Sequence, residues 1–286
     1  MYYVISPFIY LISFLPFRAI YLLSDIMNFF LFRLFRYRRT VIRGNMERSF
    51  PEKSPAEIDA IEKEFHKYFC DLSLETIKTL SIRGSGVKKH VKFKCAELFN
   101  KYAEKDQSVI IVMGHYGNWE LAGSSFAVEC EHKLIVIYHP LKDRKFNELV
   151  VKMRTGLGNE LYARNDVLRG MIRDRNRLTA TAFIADQTPA PEGAYWTEFL
   201  NQDTPVFTGT AKIAKKFNYP VIYVSVDRPT RGHYTVEAEV LFENPADHVE
   251  DEISERHTKK LEEDIKRRPE IWLWSHKRWK HKRPAK

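Results

Sequence analysis

Cysteine is scarce in this chain. Cys70, Cys95 and Cys130 are the only three in 286 residues, too few and too scattered for a disulfide framework or a zinc site. A reducing compartment is the simpler reading. A long uninterrupted apolar run is also missing. The stretch without charge, residues 1–17, ends at Arg18, whereas a membrane-spanning helix needs about 20 apolar residues. That excludes a polytopic membrane protein. No glycine-rich loop ending in Lys-Ser/Thr is present, no G-x-S-x-G elbow and no H-E-x-x-H pair. Nucleotide hydrolysis, serine hydrolysis and zinc proteolysis therefore lose their support. Internal repeats, low-complexity tracts and linkers are absent too.

What is there is an ordinary globular balance, 44% apolar and 29% charged, with Lys plus Arg at 46 against Asp plus Glu at 37 for a net charge of +9. Disorder and collagen-like structure are excluded, and the length suits one large domain or two small ones. Aromatic residues crowd the N-terminus. After Arg18 the apolar character resumes through residue 32 with Asp25 as its only charge, and then Arg33, Arg36, Arg38, Arg39 and Arg43 follow. Pro7 and Pro16 weaken a straight helix. A signal peptide is disfavoured, because there is no basic n-region and no small-residue cleavage site. Basic residues beside an apolar segment favour the cytoplasmic side and attract anionic headgroups. Residues 1–35 are therefore expected to form a membrane anchor, spanning or lying in the interface, ahead of a body over 36–286. The alternative is a buried helical hairpin in a soluble domain.

A helix is expected to open at Ser54-Pro55-Ala56-Glu57, where Ser54 caps, Pro55 takes the first turn and Glu57 completes a capping box. Ile58, Ile61, Phe65, Phe69, Leu72 and Leu80 continue it at helical spacing, and Gly84 and Gly86 should end it. Strand and helix patterns then alternate. Strands are expected at 108–113, 133–138, 178–185, 220–226 and 233–242. Helices are expected at 118–129, 143–156, 165–175, 208–217 and 250–267. That alternation predicts an α/β fold, a mostly parallel sheet flanked by helices on both faces.

The sharpest local signal is Met113-Gly114-His115-Tyr116-Gly117-Asn118-Trp119-Glu120, between a buried strand and a helix. Functional groups of α/β sheets gather at such strand ends. Gly114 and Gly117 permit unusual backbone angles and close approach of a ligand. His115 falls in the turn and Glu120 about one turn into the helix, so both can face one crevice. A neutral imidazole can take an alcohol proton near pH 7, and a carboxylate can orient it. Backbone N–H groups at the helix start can stabilise an oxyanion. With no second His and no Cys nearby, no metal site is expected, and no cofactor. The plain structural alternative is that His115 caps a turn and Glu120 complements the helix N-terminus.

With these residues in view, the sequence resembles the lipid A biosynthesis acyltransferases, within the wider glycerolipid-type acyltransferase group that shares a His-Xaa4-Asp/Glu motif. The resemblance runs in order along nearly the whole chain. It is carried by Arg36 to Arg39 with Asn45 to Pro51, by Gly114 to Glu120, and by Tyr138-His139-Pro140, where the family usually has Tyr-Arg-Pro. It continues through Asp186-Gln187, Phe199-Leu200-Asn201 with Thr208-Gly209, and Trp272 to Trp279. The resemblance implies a glycerolipid-acyltransferase-like fold. It implies transfer of an acyl group from a thioester, on acyl carrier protein or coenzyme A, to a hydroxyl of a lipid at the cytoplasmic face of the inner membrane. By that resemblance His115 is the general base and Glu120 its partner. Asn118, Arg154, Arg164, Asp186, Gln187 and Thr208 are candidate substrate contacts, an arginine suiting an anionic headgroup.

Two rivals stand beside this reading. A lysophospholipid or other lipid acyltransferase finds an echo in Pro191-Glu192-Gly193, although Ala194-Tyr195-Trp196 follows where Thr-Arg is usual. His139 leaves another glycolipid or aminolipid acceptor open. A basic membrane-associated nucleic-acid-binding protein is the distant rival, resting on the net charge and on the tail from His276 to Arg283. No recognisable nucleic-acid module accompanies that tail, and no nucleic-acid partner is expected.

Overall fold

A computed structural model describes residues 2–284, so Met1 and the last two residues of the expected segments lie outside the described part. The N-terminus is a helical hairpin, α1 (Tyr2–Phe14) and α2 (Phe17–Asn28), which runs on into a π-helical segment, Phe29–Leu34. Pro16 sits at the N-cap of α2, which is why the chain breaks there. At 1.5 Å per residue α1 is about 20 Å long, short of the ~30 Å hydrocarbon core. No helix among the described residues is long and apolar enough to cross a membrane. The hairpin packs on the body. Ser24 donates to Asp71 at 2.6 Å, and the Lys78 ammonium donates to the carbonyls of Ser13 and Leu15 at 2.7 and 2.8 Å.

α3 (Arg39–Ser49) and α4 (Pro55–Lys78) follow. The capping box at Ser54 and Glu57 forms as expected. The far end of α4 does not. The helix stops at Lys78, where Thr79, Leu80 and Ser81 bond back three residues and tighten the last turn. Gly84 opens the next helix, α5 (Gly84–His90), instead of closing α4.

The rest of the chain is built as β1 (Val91–Phe93), α6 (Ala96–Ala103), β2 (Val109–Met113), α7 (Trp119–Glu129), β3 (Lys133–Tyr138), α8 (Arg144–Thr155), β4 (Glu160–Ala163), α9 (Val167–Arg173) and β5 (Thr179–Ile184). A hairpin of β6 (Tyr195–Phe199) and β7 (Gln202–Val206) comes next, then α10 (Gly209–Phe217), β8 (Val221–Thr230), β9 (His233–Phe242) and α11 (Glu250–Arg267). Seven strands form one sheet in the order β1-β9-β8-β2-β5-β3-β4. Every pairing in it is parallel except β8 with β9. The expected α/β fold with a mostly parallel, doubly covered sheet is what the chain adopts. Alternate residues of the central strands feed two cores. Ile110 and Val112 of β2 join α4, α10 and α11, while Val109 and Ile111 join α6 and α7.

Candidate active site

The site lies at the carboxyl ends of β2 and β5. These strands are parallel neighbours in a register that pairs Met113 with Ile184. Two residues further on, that register sets His115 beside Asp186. His115 contributes its backbone N–H to Asp186 Oδ2 at 2.8 Å, and its ring Nδ1 lies 2.6 Å from Asp186 Oδ1. The indole Nε1 of Trp272 donates to the same carboxylate at 2.9 Å. Burial alone pushes the Asp186 carboxyl up. The facing His115 and these N–H donors outweigh it and hold the group at about 2. An ionised Asp186 fixes the tautomer with the proton on Nδ1 and leaves Nε2 as the basic end. Nε2 is 3.4 Å from the side-chain amide of the exposed Gln187, and the edge of Trp119 packs on the ring at 4.8 Å between centroids.

The turn between β2 and α7 is locked on all sides. Gly117 has φ of +61°, and a Cβ there would fall 2.0 Å from the Val226 carbonyl oxygen, so only glycine fits. Its carbonyl accepts from Tyr68 at 2.6 Å, and its N–H donates to the carbonyl of Ile271. Asn118 is fully buried. Its Oδ1 caps α7 by accepting from Leu121 N–H, and its Nδ2 donates to the buried Glu75 at 2.7 Å. Tyr21 and Tyr234 donate to the same Glu75 carboxylate. The N-terminal hairpin thus reaches the β2–α7 turn through one carboxylate.

A cavity of about 620 Å³ opens at His115. Its wall includes Glu120, Arg154, His139, Arg164 and Gln187 near the mouth. One part runs beneath α7, over Ile111, Leu134, Val136, Ala182, Val224 and Val236, to Phe93 and Phe126. That path crosses from β3 to β1, five interstrand steps in the sheet order or about 24 Å at 4.8 Å per step. His115 follows β2, inside that span and three steps or about 14 Å from β1, and the lining is mostly apolar, with the buried Asn159 as a polar group beside α7.

The sequence profile of the bacterial lipid A biosynthesis acyltransferases matches residues 1–281. This chain belongs to that family. It is 21% identical over 250 residues, 87% of this chain and 76% of the relative, to the lipid A biosynthesis myristoyltransferase of Escherichia coli K12. Against the lipid A biosynthesis palmitoleoyltransferase of the same organism it is 22% identical over 246 residues, 85% of this chain and 79% of the relative. Lipid A biosynthesis acyltransferase 1 of Shigella flexneri is 21% identical over 250 residues.

Within this lipid A acyltransferase the structure redistributes the expected site residues. His115 and Glu120 do share one cavity, but Glu120 is not the partner of His115. Glu120 is bound by Arg154 from α8, whose Nε and Nη2 engage it at 2.6–3.1 Å. The carboxylate on the His115 ring is Asp186, brought there by strand register and not by the His-Xaa4-Glu spacing. Asn118 is a cap and a strut buried behind the turn, and the residues lining the cavity do not include it. Arg164 lines the cavity and lies over the Phe207 ring at 5.8 Å. Thr208 is half-buried between the lining residues Phe207 and Gly209, with a 3.5 Å contact to the Gly193 carbonyl.

The terminal aromatic-basic block is not a surface patch. Trp272, Trp274 and Arg278 are buried. Trp272 reaches Asp186, and Arg278 lies over the Phe199 ring at 6.0 Å, its pKa pushed down to about 10 by burial against the pull of Asp186. Neither residue stood out as a site residue in the sequence. The one available signal was tryptophans interleaved with basic residues, a pattern that reads equally well as a binding surface.

Proposed function

We propose that this acyltransferase moves an acyl chain from a carrier-protein thioester to a hydroxyl of a lipid A precursor, with His115 as general base. The observation that carries this reading is the Asp186–His115 pair at a mostly apolar cavity of about 620 Å³. Nε2 of His115 accepts the hydroxyl proton as the oxygen attacks the thioester carbonyl carbon. The tetrahedral intermediate then collapses, the C–S bond breaks, and the departing thiolate takes the proton back from the imidazolium. The ester and the free carrier thiol are the products. Asp186 balances the imidazolium charge during the exchange. Glu120 acts one step away by holding Arg154 on the cavity wall, where the guanidinium meets negative charge on the intermediate or on the acceptor's phosphate.

The N-terminal hairpin is proposed to lie in the membrane interface at the cytoplasmic face. Tyr3, Phe8, Leu11, Phe14, Leu34 and Phe35 are exposed, and Arg33, Arg36 and Arg38 follow. Exposed apolar side chains beside a basic cluster suit an anionic bilayer surface. The positive net charge likewise suits an acidic carrier protein, whose encounter should slow as salt rises, since exposed charges are screened over ~8 Å at physiological ionic strength. The direct test is transfer of a labelled acyl group from carrier protein to a lipid A precursor in detergent. Transfer is expected with the wild-type chain, and its absence with every carrier-bound chain length would refute the proposal.

A further inference from the structure

The cavity at His115 does not stay on one face of the sheet. Ile137 and Phe183 line it as well, yet they are the strand neighbours of Val136 and Ala182 and so point to the opposite face. There they pack in the core formed with α9 and α10, beside Val167 and Ile213. Phe207 and Thr210 complete this second part. The cavity is therefore forked, with both branches meeting at the strand ends where His115 stands. The branch under α7 is apolar except for the buried Asn159, whose Nδ2 donates to the Gly123 carbonyl. The second branch is lined by the half-buried Ile137, Phe183, Phe207 and Ile213, and the exposed Arg164 lies over the Phe207 ring.

An acyl transfer brings two lipidic partners to one base, and one channel can hold only one of their chains. We propose that the groove of Ile137, Phe183, Val167, Phe207 and Ile213 holds an acyl tail of the acceptor lipid, with Arg164 against the acceptor's anionic headgroup. The proposal rests on the acyl-transfer reading above and extends it to the acceptor. The donor's carrier-linked arm is a polar, amide-bearing chain, and this groove offers it aliphatic and aromatic side chains instead. A hydrocarbon tail matches those walls. Arg164 is exposed beside this groove, so a headgroup held there stays at the surface next to a cation.

The test is steady-state transfer by the full chain, with a long-chain acyl carrier protein as donor. Two acceptors are compared, a lipid A precursor in mixed micelles and the same glycolipid stripped of its ester-linked chains. Ile213→Trp fills the groove. It should raise the KM for the intact acceptor by about tenfold and erase the preference for intact over stripped acceptor. Donor KM should stay within about twofold. Arg164→Gln should weaken both acceptors alike. Ala182→Leu, in the branch under α7, should instead shift the preference toward shorter donor chains. If Ile213→Trp loses its melting transition, Phe183→Ala must give the same acceptor-only rise in KM. A donor-only effect at Ile213 or Phe183 would mean the occupants are reversed, and no effect on either KM would mean the groove is unused. Both outcomes overturn the assignment. A wild-type chain that transfers nothing refutes the acyl-transfer reading itself, whereas an active wild type with indifferent groove variants refutes only the groove.

Discussion

At the residue scale the account turns on which carboxylate serves His115. Asp186 meets the Nδ1 edge at 2.6 Å, and Glu120 is committed to Arg154. General-base catalysis contributes about 10²–10⁴-fold, so His115→Ala should lower turnover by that order while the chain stays folded. Asp186→Asn should cost a similar factor, and the double variant should be little worse than either single one. The two acids should differ in how kcat and KM divide the loss. Asp186→Asn frees the His115 ring and should lower kcat with little change in KM, whereas Glu120→Gln loosens Arg154 and should act mainly on the acceptor KM. A kcat that falls with Glu120→Gln and stands unchanged with Asp186→Asn would restore the spacing-based pairing. The sequence could not give the hydrogen-bonded pair, because His115 and Asp186 are 71 residues apart in the chain. Only the register of β2 against β5 joins them. The His-Xaa4-Glu spacing is local and therefore legible, and it did identify two groups of one cavity.

At the element scale the β2–α7 turn is the part most sensitive to change. Gly117→Ala imposes a left-handed backbone on a residue with a side chain and drives Cβ into the Val226 carbonyl. It should cost at least about 2 kcal/mol of stability and most of the activity, measured by denaturant titration alongside transfer rate. Asn118→Ala removes a helix cap worth about 1 kcal/mol and takes one of three side-chain donors from the buried Glu75, so a larger loss than a cap alone is expected in the same titration. The apolar run Lys133–Tyr138 and the alternating strand His233–Phe242 were legible and fall where the patterns put them. So does the charged helix Glu250–Arg267. The short strand β4 and the β6–β7 hairpin were not. Their sequences, Glu-Leu-Tyr-Ala and Tyr-Trp-Thr-Glu-Phe, carry too few residues for a period to emerge. Pro205, in the middle of a ladder, argues against a strand in the hairpin's second arm, which survives because the pair stands as its own two-stranded sheet.

For the whole molecule, the N-terminal hairpin and the buried histidines set how the chain responds to its surroundings. Replacing Leu11 and Phe14 by Glu removes exposed apolar contact without touching the core. The double variant should lose most of its sedimentation with anionic vesicles while keeping its melting transition. Equal sedimentation of variant and wild type would remove the hairpin from the membrane reading. Burial pushes the imidazoles of His66, His257 and His276 down to about 4. An unfolded histidine titrates near 6.5, so between about pH 6.5 and 4 the unfolded chain binds protons that the folded chain refuses. Stability is therefore full above about pH 6.5 and falls as the pH drops toward 4, by roughly 1–2 kcal/mol per histidine at pH 5. Thermal melts at pH 7 and pH 5 should show a markedly lower Tm at the acid end. The central claim, that this family member acylates a lipid A precursor through His115 held by Asp186, is tested most directly by mass spectrometry of the lipid A fraction. The cells to compare lack the endogenous enzyme and make the wild-type, His115→Ala or Asp186→Asn chain at equal abundance. The account predicts one added acyl chain with the wild type and its loss with both variants; an added chain of full intensity with His115→Ala would contradict it.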